Sequence, residues 1–553
     1  MIQKSDHEWD IGDFMKEIYF WCLLLLLCGI PLRDGLFYGE IVGAGPDVIS
    51  TIWGMWWFQQ EMSILGGGSY ILNYPYGATG NVLSPSSALL FACTESVLGI
   101  GRSYALCAWF QVFVFCAGLY LWLYEVVQIQ FPAMIGSFVP LVGSYFFFGI
   151  GEGSLVAIAA VPLPLGLWGL WRISNNWFYV LFFVFCMSWM SIENPYLAPV
   201  LPIVAVIRWI QKNDERSRIL LSLIGGTMVI LSIARILREG ANPEYPREVA
   251  GQFVTLFAHE WEIVDLPWAR MGLSELFWPI AIRWTTEAEN AVDAQGGYFI
   301  GISLLFFCAL SIRYFWEYRK AETNLNSMFV AAWLWLLGGF LLSIGSIFHS
   351  FAGPFLFYNA IMDAIARPLT QPTRYIMLCV VGFAFLVALI AKQYPKIRYW
   401  IVGVFLLESI LWGGLRLDIP SIQLPQYNCS TKMEGPVLIW PWDAKDGEMS
   451  RSQLYQMIHK QPSPHTGIAS WALSKKGRVL NVLRTNGFRI EGQRIRFSAI
   501  SHLGYKWIIV EKNLPSNWNF ENGGLDPVEH CDVVDLYSVD ALERFQGPFP
   551  FHP

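Results

Sequence analysis

Four side chains carry most of the chemistry this 553-residue chain could do: Asp47, Glu152, Arg367 and Arg374. Asp47 stands alone in a Trp-rich stretch (Trp53, Trp56, Trp57) of a long, aromatic, Pro/Gly-marked loop from Arg33 to Arg102. A carboxylate held within hydrogen-bond reach of a hydroxyl can take its proton. Glu152, in Gly149-Ile150-Gly151-Glu152-Gly153, falls in a tight turn between two apolar runs, where it could position a metal or an acceptor. Arg367 and Arg374 flank the start of a late apolar run, and a guanidinium is the side chain best shaped for a phosphate.

Each has a plainer reading. Asp47 before Val48-Ile49-Ser50 is an ordinary helix cap. Glu152 is then an interfacial turn acid between glycines, and Arg374 a snorkelling anchor. Asp34 and Glu40 precede the same helix and would serve if its register shifted, although solvated loop acids are commoner. Glu193-Asn194-Pro195 is the next turn on the same side. His349 ends an apolar run, and His259 with Glu260 and Glu262 lacks metal-ligand spacing, so no cofactor is called for and a divalent metal is only compatible. Glu408 lies within the last apolar run, where an acid is costly unless paired or protonated.

The elements that must hold these residues are membrane spans. With 54% hydrophobic and only 14% charged residues, the composition departs from the roughly 25% charge of soluble domains. The net charge of -6 and scattered arginines give no nucleic-acid footprint. Runs long enough to span cover 14–32, 103–126, 132–150, 155–172, 177–193, 195–210, 219–237, 297–315, 328–349, 373–391 and 398–416. That predicts a polytopic α-helical protein of about 11 transmembrane helices. The run 84–100 is set aside, because Ser84-Pro85-Ser86-Ser87 opens it like a helix start and Glu95 interrupts it.

Charge sets the threading. Arg208, Lys212, Arg216 and Arg218 mark one cytoplasmic turn, Arg313, Arg319 and Lys320 a second, and Lys392, Lys396 and Arg398 a third, all of one parity. Counting back puts Arg172 inside, the 33–102 loop and the acidic 238–296 segment outside, and the N-terminus in the cytoplasm. The first span reads as a retained anchor of an inner-membrane protein, since no small-residue cleavage site follows it.

After Leu417 the composition turns polar and proline-rich, which predicts a soluble α/β domain over 417–553 following a membrane domain over 1–416. Strands are expected at 436–440 and 505–510, helices at 450–460 and 538–546. Cys429 and Cys531 are the two cysteines in this exported part and would pair if their geometry allows.

One span, an outside loop with an acid beside Trp-rich helix, Tyr74-Pro75-Tyr76-Gly77 and a Pro-opened surface helix together resemble the GT-C superfamily of membrane glycosyltransferases. Arg367-Pro368-Leu369-Thr370-Gln371-Pro372-Thr373-Arg374-Tyr375 and the tail segments Gly435–Pro441, Tyr455–Pro462 and Leu503–Val510 resemble a bacterial branch of it with a C-terminal extracytoplasmic domain.

The resemblance implies two juxtamembrane helices, about 47–64 and 84–100. It also implies a polyprenyl-phosphate sugar as donor and a cell-envelope glycan, lipid or protein as acceptor. Asp47 would then be the general base, Glu152 a secondary acid, and Arg374 with Arg367 the site of the donor phosphate. Competing classes are a noncatalytic, lipid-binding assembly protein on a GT-C fold and a transporter, although no inverted repeat of broken helices is visible. Cysteine reporters near Ser96 and at Asn213 should label from opposite sides of the membrane; labelling from one side would make 84–100 a span or break the parity.

Overall fold

The structure is a computed structural model that describes residues 11–43, 46–61, 68–69, 78–79, 84–143, 145–151, 155, 159–194, 197–239, 301–318, 324–344, 375–411, 414–415, 419, 421–423, 429, 432–440, 446–463, 490–491, 494–495, 500, 503–512 and 526–544. It is mainly helical. Among the described residues, Ile100–Val127, Leu325–Leu342 and Ile376–Gln393 are long and apolar enough to cross a membrane. Gln130–Val142 and Tyr145–Gly151 make a fourth if taken as one bent span, and Glu17–Leu32, Trp177–Glu193, Val200–Gln211 and Ser303–Trp316 are shorter apolar helices.

Several expected spans are broken, and the breaks have local causes. The 132–150 run bends by 44° between Val142 and Tyr145, where Gly143 is extended. Within the 155–172 run the structure describes a helix over Pro162–Trp171, with Pro162 at its first position, where a missing N–H is tolerated. The run 84–100 is a helix, Pro85–Leu98, of 14 residues, too short at about 1.5 Å per residue for a bilayer core of about 30 Å. It stops at Gly99, whose φ of +80° suits a residue without Cβ, and Ile100–Val127 starts at once.

Ile376–Gln393 is the axis of the bundle, buried all round from Ile376 to Ala391. Asn324–Ile344 packs against it through small residues. A Cβ on Gly382 would come within 2.5 Å of the Leu336 nitrogen, and one on Gly339 within 2.6 Å of the Cys379 nitrogen. Peripheral helices turn large apolar side chains outward at helical spacing, such as Phe178, Leu181 and Phe185, or Leu220, Ile224, Met228 and Leu231.

In the C-terminal segment, Val437–Trp440, Trp507–Glu511, Val534–Ser538 and Glu529–His530 form a sheet in that order. The first pair is parallel and the others antiparallel, with Leu438 opposite Ile508 and Leu536 opposite Ile509. A parallel pair needs a long crossover, and Asp446–His459 lies in it. The expected strands and helices are therefore found, and Cys429 is bonded to Cys531 with their Cα atoms 5.0 Å apart. Leu454 and Met457 of the crossover helix join the main core, whereas Tyr455 joins the core under the sheet.

Charges sit at two ends. At one, Arg208 pairs with Glu215 at 2.6 Å and donates to the Trp171 carbonyl at 3.4 Å, and Arg218 donates to Ile173 and Ser174. Arg172 pairs with Glu125 at 2.7 Å, Lys392 donates to Val127 at 2.8 Å and Arg398 to Ala391 at 2.6 Å. These are the residues that the charge parity grouped on one side. At the other end, acids meet helix N-termini. Glu408 accepts from the Ile302 and Ser303 amides, which open the Ser303–Tyr318 helix, so it is paired as an intramolecular cap.

Glu193 does the same for Pro85–Leu98 and is completely buried. Its carboxylate accepts from the Ser86 amide at 3.1 Å, the Ser84 and Ser86 hydroxyls at 2.5 and 2.7 Å, Gln111 Nε2 at 3.2 Å and Trp189 Nε1 at 3.2 Å. Removing it strands buried donors from three helices. Glu193→Ala is therefore expected to cost on the order of 3–5 kcal/mol, and Glu193→Gln, which keeps one acceptor oxygen, less. Thermal unfolding of the detergent-purified chain checks this; an unchanged midpoint for the alanine variant rules the staple out.

Candidate functional site

The chain reaches the Asp47 helix through a strand, Ile41–Val42, that pairs antiparallel with Ser421–Ile422. Glu40 accepts hydrogen bonds from Ser421 and, at 3.3 Å, from Gln423, which fastens this approach to the chain after the last apolar helix. Gly43 follows with φ +112°, and a Cβ there would lie 2.8 Å from Val48 Cγ2 and 2.9 Å from the Gly151 carbonyl oxygen. The backbone leading to Asp47 and the backbone leading to Glu152 therefore touch.

The helix spans Pro46–Glu61, within three residues of the expected 47–64 at both ends. Because Pro46 opens it, Asp47 is its second residue and not the residue before it, which corrects the simple capping reading. An acid in this first turn lies at the positive end of the helix dipole. The side chain of Asp47, and the whole of Glu152, Arg367 and Arg374, lie outside the described residues, as do His259 and His349.

The helix is enclosed. Trp56 and Trp57 are 1% and 0% exposed, and Val48, Ile52, Trp53 and Phe58 are buried with them. These rings pack in the main core, which leaves them no face for a sugar. On one side stands Pro85–Leu98, with Gln59 donating to Glu95 at 3.1 Å. On the other stands Asp446–His459, with Ser50 donating to Gln453 at 2.9 Å and Trp53 Nε1 to Gln456 at 2.9 Å.

The fallback acids have structural partners of their own. Asp34 lies 3.7 Å from Arg33, Glu40 holds the strand pair, and Arg102 donates to the Phe37 carbonyl at 3.2 Å beside them. Glu193 is occupied by five donors from its neighbours. Among the described residues no group of three His, Cys, Asp or Glu side chains could hold a metal. Sequence reasoning missed Gln453 and Gln456; the only signal was their spacing of three inside a segment already read as helix.

No family model matches the chain, and no curated protein does. Its structure is similar to the archaeal oligosaccharyltransferase AglB from Archaeoglobus fulgidus in complex with an inhibitory peptide and a dolichol-phosphate, with TM-score 0.43 and 11% identity over 90% of this chain and 70% of that one. It is also similar to ArnT from Cupriavidus metallidurans, in the apo state with TM-score 0.42 and 11% identity over 96% and 99% of the two chains. With ArnT bound to undecaprenyl phosphate the TM-score is 0.41 and the identity 12%, over 94% and 97%. At such scores these are similarities of the chain, and no reaction or substrate is carried over from them.

Proposed function

We propose that this chain is a membrane glycosyltransferase that moves a sugar from a polyprenyl-phosphate donor to a cell-envelope acceptor on the extracytoplasmic face. The observation that supports this reading best is the setting of the Asp47 helix. It begins against the Gly43–Gly151 contact, is enclosed by two helices, and stands at the end of the bundle away from the arginine-capped turns. An acid brought to a membrane face on a helix that packing prevents from rolling is placed to act as a base.

In this reading Asp47 takes the proton of the acceptor hydroxyl as its oxygen attacks the anomeric carbon, and the bond to the lipid phosphate breaks. The polyprenyl phosphate leaves as an anion, for which Arg374 and Arg367 supply positive charge. Glu152, whose chain segment meets that of Asp47, orients the acceptor or a divalent ion. The lipid carrier keeps the donor in the membrane, so no nucleotide-binding loop is needed. Residues 417–553 form the extracytoplasmic domain, and the N-terminus is cytoplasmic.

Wild type and Asp47→Asn, purified in detergent, would be given labelled polyprenyl-phosphate sugars and followed for release of the lipid phosphate. The variant is expected to lose activity by a factor of about 10²–10⁴. Equal turnover removes Asp47 as base. Lipid binding without turnover in either protein favours an assembly role, and flux into vesicles without lipid consumption favours a transporter.

A further inference from the structure

Helix Asp446–His459 meets the Asp47 helix through side chains of which Trp53, Gln453 and Gln456 are buried. Gln453 is 2% exposed and Gln456 0%. Ser50 donates to Gln453 and Trp53 to Gln456, so that two pairs with the same spacing of three run up both helices in the same sense. Leu454 and Met457 add apolar contact on the same side. Apolar packing alone tolerates sliding, whereas one buried and one partly buried hydrogen bond in register permit one alignment.

The far side of Gln456 is anchored as well. Its Nε2 donates to the Gln461 carbonyl at 3.3 Å, Gln461 Oε1 accepts from the Gly435 amide at 3.1 Å, and the Val437 amide donates to the Pro462 carbonyl at 2.9 Å. Gly435 and Val437 lead into the sheet that the Cys429–Cys531 disulfide closes. Between helix and anchor, Lys460 sits at φ +57°, a conformation a lysine adopts only where its surroundings require it. A continuous chain of hydrogen bonds therefore runs from the sheet to Trp53, two turns from Asp47.

We propose that Gln453 and Gln456 are positioning residues that set the placement of Asp47, which makes the C-terminal segment a structural part of the reaction site. This rests on the reading of Asp47 as base. Gln456→Leu leaves the buried Trp53 N–H without its acceptor, and the helix shifts to relieve it. Because only the base moves, kcat should fall by on the order of tenfold to a hundredfold while KM for the lipid donor holds. Trp53→Phe added to Gln456→Leu removes the stranded donor and should recover most of the loss.

The test uses the full chain in native membranes and in detergent. Cysteines at positions 50 and 453 should be joined by a short thiol-reactive crosslinker, seen as a linked peptide by mass spectrometry, and a control pair at 89 and 453 should not. In an Asp47→Asn background, Gln456→Leu should lower the residual rate no further, an outcome that a purely structural role would not give. Absence of the 50–453 link, or an equal fall in both backgrounds, overturns the coupling and leaves the Asp47 reading standing. An Asp47→Asn protein as active as wild type overturns both, even with the link formed.

Discussion

Helix ends in an apolar medium have no water to satisfy them, and in the described structure charged side chains meet this constraint. Where helices end, arginines and a lysine reach the free carbonyls: Arg208 at Trp171, Arg218 at Ile173, Arg398 at Ala391 and Lys392 at Val127. Where they begin, acids reach the free amides, Glu193 at Ser86 and Glu408 at Ile302 and Ser303. The dipole of each helix favours both arrangements.

That constraint explains what was legible in the sequence. Pro46 and Pro85 announce helix starts from their own backbone geometry, and both helices lie within three residues of expectation. The grouping of Arg172 with Arg208 and Arg218 was visible because parity depends only on counting apolar runs. The partners of Glu193 and Glu408 were not visible, since Ser84 and Ser303 lie more than 100 positions away in the chain. An acid inside an apolar run signals a cost, but not which helix end offsets it.

What the tryptophans after Asp47 pack against was not legible for a related reason. Trp53, Trp56 and Trp57 suit a bilayer interface as well as a protein core, and composition does not separate the two. What decides is the Asp446–His459 helix, about 400 residues on, which packs against this one and accepts from Trp53. Its own sequence is ambiguous in isolation, with Leu454 and Met457 on one side and Tyr455 on another, because it is shared between two cores.

Enclosure on both sides bears on what Asp47 can be. A loop acid samples many positions and meets a substrate by chance, whereas an acid in the first turn of a buried helix has its Cα fixed by everything that packs below it. Gly43 leaves room on the approach for the Gly151 carbonyl, which a Cβ there would meet at 2.9 Å. The helix that carries Asp47 cannot roll without stranding the Trp53 N–H, so the backbone position of Asp47 is held by the core below it. A merely structural carboxylate has a cheaper form in this same molecule, as Glu193 shows by spending every lone pair on its neighbours' donors.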